Sequence, residues 1–158
     1  MLQIYPSLLA ADHANLENLV TKLDPLVPGF HVDIMDNAFV PNTGIGLDIT
    51  NTLSKFTIKQ LWVHLMVTEP EQYLDLLRVP AGSIVAFHIE ARTNTPRLIQ
   101  KIVDKGWLPG MAINPTTSIE ELFPFLEQLH QALIMSVKPG FAGQPFVPET
   151  LAKIGPLV

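Results

Sequence analysis

The sequence contains no cysteine. Disulfides, thiolate nucleophiles and Cys-ligated metals are therefore excluded, and packing must hold the fold. Charge is sparse as well: Asp, Glu, Lys and Arg make up 16% of the 158 residues, below the ~25% of an average soluble domain. Ten basic residues stand against fifteen acidic ones, a net charge of −5, and the basic ones form no run or stripe. That excludes a surface built for nucleic acid or for an anionic membrane. No apolar run approaches the ~18 residues of a membrane-crossing helix. The beginning reads as a strand and not as a charged segment followed by an apolar one, so no secretory leader is expected, and the expected setting is cytoplasmic. Apolar residues are abundant, at 47%. At this length they suffice for a single domain with its own core.

Short β-rich runs alternate with amphipathic helical runs, the pattern of a parallel α/β sheet. Six strands are expected, over 2–8, 30–35, 60–67, 83–89, 110–114 and 132–137. Leu16, Leu19, Val20 and Leu23 recur at helical spacing. Thr68 with Glu71, and Ser118 with Glu121, have the spacing of capping boxes. Thr95 before Pro96 reads as an N-cap with a first-turn proline. A weaker helix is expected over 48–56, and a last one from Pro148. Six βα units allow an open doubly wound sheet, or a (β/α)8 barrel without its last two units.

Polar residues gather at the C-terminal ends of these strands, where α/β proteins bind ligands. Alternation places His31, Asp33 and Met35 on one face of the second strand, and His64 and Met66 on one face of the third. His88 and Glu90 share a face of the fourth. Three neighbouring strands would thus bring His31, Asp33, His64 and His88 together, and two imidazoles with a carboxylate are ordinary ligands for Zn²⁺, Fe²⁺, Mn²⁺ or Co²⁺. Asp33 beside such an ion is a reasonable general base toward a carbon acid. Spacing alone equally allows structural histidines and methionines that merely fill the core. Asp36 reads as a turn former, His13 and His130 as surface residues, and Lys138 as a solvated loop charge. A glycine-rich loop at 140–144 follows the sixth strand and offers backbone amides to a phosphate.

Taken in order, these stretches resemble the ribulose-phosphate 3-epimerase family, which includes allulose-6-phosphate 3-epimerase. The resemblance is carried by Pro6-Ser7-Leu8-Leu9-Ala10-Ala11-Asp12, His31-Val32-Asp33-Ile34-Met35-Asp36, Phe39-Val40-Pro41-Asn42 and Val63-His64-Leu65-Met66-Val67. It continues through Phe87-His88-Ile89-Glu90-Ala91, Asn114-Pro115-Thr116-Thr117 and the run from Met135 to Phe146. It implies a TIM barrel, present here as one domain of about six βα units, and an isomerase that inverts C3 of ribulose 5-phosphate to give xylulose 5-phosphate. By the same resemblance His31, Asp33 and His64 hold a divalent ion (Zn, Fe, Mn or Co), and Asp33 is an acid/base carboxylate. Ser7 meets the reacting end of the substrate. Met35, Met66 and Met135 screen the site from water, Gly140 and Gly143 approach the phosphate, and His88 and Asn114 support.

Three departures from the family pattern stand out. Asn37-Ala38 replaces the usual Gly-His, and Ala142 replaces a loop glycine. The family's second acid/base Asp lies in a seventh strand, and no Asp follows Asp104 here. The expectation is a barrel truncated at its C-terminus and open at two strand edges. Such edges favour a homo-oligomer, or a second chain that completes the barrel. The alternative to an active sugar-phosphate epimerase is an impaired, epimerase-like chain.

Overall fold

The computed structural model describes residues 3–157. Five parallel strands form one sheet: β1 (Gly29–Met35), β2 (Gln60–Met66), β3 (Ile84–His88), β4 (Leu108–Ile113) and β5 (Gln131–Ile134). They lie side by side in chain order, and each pairs in parallel with the next. A doubly wound sheet reverses its strand order at a switch point; this sheet never does. Every crossover runs the same way round, which is how a TIM-type barrel is wound. The fold is therefore α/β, with the strands of a partial TIM-type barrel.

The strand expected over 2–8 is corrected. Met1 and Leu2 lie outside the described residues, and from Gln3 onward only Ser7 is bridged, in parallel to His31. His31 N–H donates to Pro6 O at 2.9 Å and Leu8 N–H to His31 O at 3.0 Å. This short stretch flanks the outer edge of β1 and points Ser7 at Asp33. The expected strand over 110–114 begins two residues earlier, at Leu108. The one over 132–137 stops at Ile134, because the chain is drawn away where Val147 N–H donates to Ser136 O at 2.7 Å.

One face of the sheet packs against the helices α1 (Leu16–Leu23), α2 (Leu47–Leu53), α3 (Pro70–Leu74) and α4 (Thr95–Asp104). Phe30, Val32 and Ile34 from β1, Leu61, Val63 and Leu65 from β2, and Val85 and Phe87 from β3 meet Val20, Leu53, Leu74, Leu98 and Ile102 in one buried core. The other face carries the alternate residues, His31, Asp33 and His64 among them, and Met135 follows the end of β5 beside it. Strand ends on that face build the site.

Both capping boxes are absent. Thr68 N–H is taken by Asp36 Oδ2 at 2.6 Å, and α3 starts only at Pro70. The Ser118 hydroxyl turns to Glu120, and residues Ile119–Gln128 form a 3₁₀ run, not an α-helix. Pro124 lies inside that run, where it lacks an amide donor and crowds the preceding turn. The N-cap of α4 is Asn94, whose side chain accepts from Arg97 N–H at 3.1 Å; Thr95 is the first helical residue. The expected final helix is a pair of 3₁₀ segments, Pro148–Lys153 and Gly155–Leu157. None of the helices among the described residues is long and apolar enough to cross a membrane.

Candidate active site

β1 and β2 run in a register that sets Asp33 level with His64. Both side chains rise from the face opposite the helices, with His31 two residues before Asp33 on the same face. Asp33 Oδ1 meets His31 Nε2 at 3.1 Å and His64 Nδ1 at 3.2 Å. Asp33 Oδ2 accepts from the Ser7 hydroxyl at 2.9 Å. Burial pushes the Asp33 carboxyl upward, but the hydrogen bonds and charge of His31 and His64 outweigh it and hold it well below the usual carboxylate range. Asp33 is thus ionised throughout the neutral range. Burial drives His64 down to about 4, and the Asp33 carboxylate only partly opposes this. Its imidazole is therefore neutral near pH 7 and keeps a lone pair for a ligand.

Three donor atoms, one each from His31, Asp33 and His64, lie within 4.8 Å of one another. Ligands at about 2.1 Å from a Zn²⁺-sized ion sit about 3.0–3.4 Å apart. The two spacings to Asp33 Oδ1, 3.1 and 3.2 Å, match that edge length. Two imidazole nitrogens and a carboxylate oxygen are borderline-to-hard donors that suit Zn²⁺, Fe²⁺, Mn²⁺ or Co²⁺. The residues fit a divalent ion, and nothing in the donor set picks one metal.

Behind His64 the polar chain continues. His64 Nε2 faces His88 Nε2 at 2.9 Å, and His88 Nδ1 faces Glu90 Oε2 at 3.1 Å. Glu90 Oε1 accepts from Asn114 N–H at 2.9 Å and from the Thr117 hydroxyl. Burial raises the Glu90 carboxyl, yet these hydrogen bonds prevail and bring it down to about 2. The Asn114–Thr117 turn is itself held from outside: Lys153 Nζ donates to Asn114 O at 3.0 Å and Pro115 O at 2.8 Å. It reaches Thr117 O as well, at 2.5 Å.

A cavity of about 320 Å³ opens over Asp33. Ser7, His31, Asp33, Met35, His64, Met66, Met135, Gly140 and Gly143 all line it, so every residue singled out from the sequence as catalytic, substrate-binding or metal-binding converges on one space. Leu9 and Phe141 add apolar wall that the sequence reading did not name. Two loops meet at Gly140, which lines it. Asn42 Nδ2–H donates to Gly140 O at 2.6 Å, and Gly140, at φ 117°, would bring a Cβ to 3.2 Å from that of Val40. His13, His130 and Lys138 are exposed, and none of them lines this cavity. Asp36 is a turn former as read: its Oδ1 accepts from Ala38 N–H at 2.8 Å and Phe39 N–H at 2.7 Å.

The two sequence departures are accommodated locally. Asn37 has φ 57°, the left-handed region that glycine takes freely and asparagine tolerates best among the others. Ala142 is not among the positive-φ residues, so the missing glycine costs its loop no strain.

Comparison with known proteins agrees with this geometry. The model of the ribulose-phosphate 3 epimerase family matches residues 3–157. The cytoplasmic isoform of ribulose-phosphate 3-epimerase from Oryza sativa subsp. japonica is 42% identical over 157 residues, covering 96% of this chain and 69% of that protein. Ribulose-phosphate 3-epimerase of Schizosaccharomyces pombe is 41% identical over 156 residues, 96% of this chain and 68% of its own length. That of Escherichia coli K12 is 37% identical over 153 residues, with the same 96% and 68% shares. The winding of the sheet, the convergence of His31, Asp33 and His64, and a family match along nearly the whole sequence lead to one conclusion: the chain belongs to the ribulose-phosphate 3-epimerase family.

Proposed function

We propose that this site epimerises C3 of a ketose phosphate, interconverting D-ribulose 5-phosphate and D-xylulose 5-phosphate, with a divalent ion held by His31, Asp33 and His64. The observation that carries the reading is the position of Asp33: an ionised carboxylate, fixed by three side chains, at the floor of the one cavity that gathers these residues. The ion, when bound, supplies Lewis acidity toward the oxygens beside the reacting carbon. Asp33 takes the C3 proton. The C–H electron pair becomes the C2–C3 double bond of an enediolate, and the carbonyl oxygen takes up the charge. A carboxylate held this low in pKa is a weak base, so it suits a carbon acid already made acidic by a polarised neighbouring carbonyl. Ser7 holds Asp33 from its other oxygen and stands beside the reacting end of the substrate. Met35, Met66 and Met135 keep water from the planar intermediate, and the amides around Gly140 and Gly143 receive the phosphate. This reading treats the chain as one barrel domain acting on a small sugar phosphate.

Inversion also needs a proton delivered to the opposite face. Asp33 is the one carboxylate among the described residues that line the cavity. The proton on the far face therefore comes from a donor other than Asp33. An NMR time course in D₂O with Mn²⁺- or Zn²⁺-loaded protein and ribulose 5-phosphate tests this. Deuterium at C3 together with xylulose 5-phosphate supports full epimerisation. Deuterium at C3 with no inversion supports Asp33 as a base working on one face only. No exchange in the loaded protein, or exchange that survives Asp33→Asn, would sink the reading.

A further inference from the structure

We infer that Glu90 and His88 are positioning residues that select the tautomer of His64, and so set how tightly the centre holds its divalent ion. The inference rests on the metal reading above. Glu90 lies two imidazole rings away from Asp33 and outside the lining of the cavity.

Donors and acceptors fix the direction of the protons along this chain. His64 turns Nδ1 toward Asp33 Oδ1, at 3.2 Å, and Nε2 toward His88. To offer a lone pair at Nδ1, neutral His64 must carry its proton on Nε2. That proton points at His88 Nε2, 2.9 Å away, which must then accept. A neutral His88 that accepts at Nε2 carries its own proton on Nδ1. The atom opposite Nδ1 is Glu90 Oε2 at 3.1 Å, a carboxylate oxygen that can only accept. The chain therefore closes in one direction. Each proton points away from the metal position, and Glu90 is the terminal acceptor that fixes the sense. The rings cannot readily turn to escape it. His88 is wholly buried and His64 is 1% exposed. Their planes lie 21° apart with centroids 5.0 Å apart, and the Phe39 ring packs against His88 with centroids 4.8 Å apart. Outer partners that orient a ligating histidine in this way are commonly worth 10–100-fold in metal affinity.

Glu90→Gln gives a test that a merely structural role would not pass. Asn114 N–H still needs an acceptor, so the glutamine carbonyl turns to it and the NH₂ group faces His88. That donor forces His88 to accept at Nδ1 and to carry its proton on Nε2, head-on against the His64 proton. Glu90→Ala imposes no direction, because a water there can either donate or accept. The expected order of Co²⁺ affinity by calorimetric titration is wild type, then Glu90→Ala, then Glu90→Gln, with the last weakened by roughly tenfold or more. ¹H–¹⁵N spectra of the Zn²⁺-loaded protein should place the His88 proton on Nδ1 in the wild type and on Nε2 in Glu90→Gln. Equal affinity in Glu90→Gln and wild type, or weaker binding in Glu90→Ala than in Glu90→Gln, overturns the inference and leaves the metal centre standing. Co²⁺ binding that is unchanged in His64→Ala, or absent from the wild type, overturns the metal reading and this inference with it.

Discussion

Asp33 shows how much of a site one side chain can commit. Oδ1 is shared by His31 and His64, Oδ2 is held by Ser7, and its backbone carbonyl accepts from Ile45 N–H at 3.0 Å. Its neighbours make the molecule acid-sensitive with a definite sign. His64 is lowered from 6.5 to about 4, so across that window the unfolded ring binds a proton that the folded ring refuses, and stability falls as pH falls. Glu90 is lowered from 4.5 to about 2, so its contribution is complete above 4.5 and drains away below it. Urea midpoints of metal-free protein should therefore fall in two overlapping stages between about pH 7 and about pH 2. Glu90→Gln should shrink the lower stage without abolishing it, because Asp33, also held low, titrates there too. The convergence of His31, Asp33 and His64 was legible in the sequence because alternation within two neighbouring parallel strands puts them on one face, and the family resemblance pointed to the same three. Asn114 was given a supporting role by resemblance, but its contacts and those of Thr117 and Lys153 were not legible. Their contacts depend on how a turn folds back, and no periodicity encodes that; the one available hint was Glu90, two residues after His88 on a shared strand face.

At the scale of elements, sequence pattern located β1, β2, β3 and α1 well, because their apolar residues face a core that rewards the expected period. It failed at helix starts. The Thr68 and Ser118 boxes have the right spacing, but a tertiary partner, Asp36, claims the Thr68 amide and a local one, Glu120, the Ser118 hydroxyl. Strand packing imposes a sharper demand at Gly29, where a Cβ would lie 2.0 Å from Gln60 O on the neighbouring strand. That oxygen belongs to the backbone of β2 and cannot swing aside. Gly29→Ala is thus expected to cost on the order of 1–3 kcal/mol, the range for overpacking. The check is a chemical denaturation curve, which should shift in midpoint with little change in slope.

Across the whole molecule the sheet is unevenly secured. β3 has a strand on either side and all five of its residues are buried. β5 has β4 as its strand partner among the described residues, and all four of its residues are half-buried. Amide hydrogen exchange should run faster in β5 than in β3 by orders of magnitude, through local opening that spares the rest. Equal protection of the two strands would instead reveal another strand seated on the β5 edge in solution. The βα rhythm left a doubly wound order open, and the family resemblance implied the barrel order; this unevenness was not legible, since it depends on what borders each edge. It also divides the site. His31, Asp33 and His64 stand on β1 and β2, whose residues are nearly all buried, whereas Met135 and the 140–144 loop follow the half-buried β5. Mild heat or denaturant should accordingly peel away the wall that encloses the sugar phosphate while the ion stays in place, leaving a protein that still counts as loaded in a metal assay and no longer turns over.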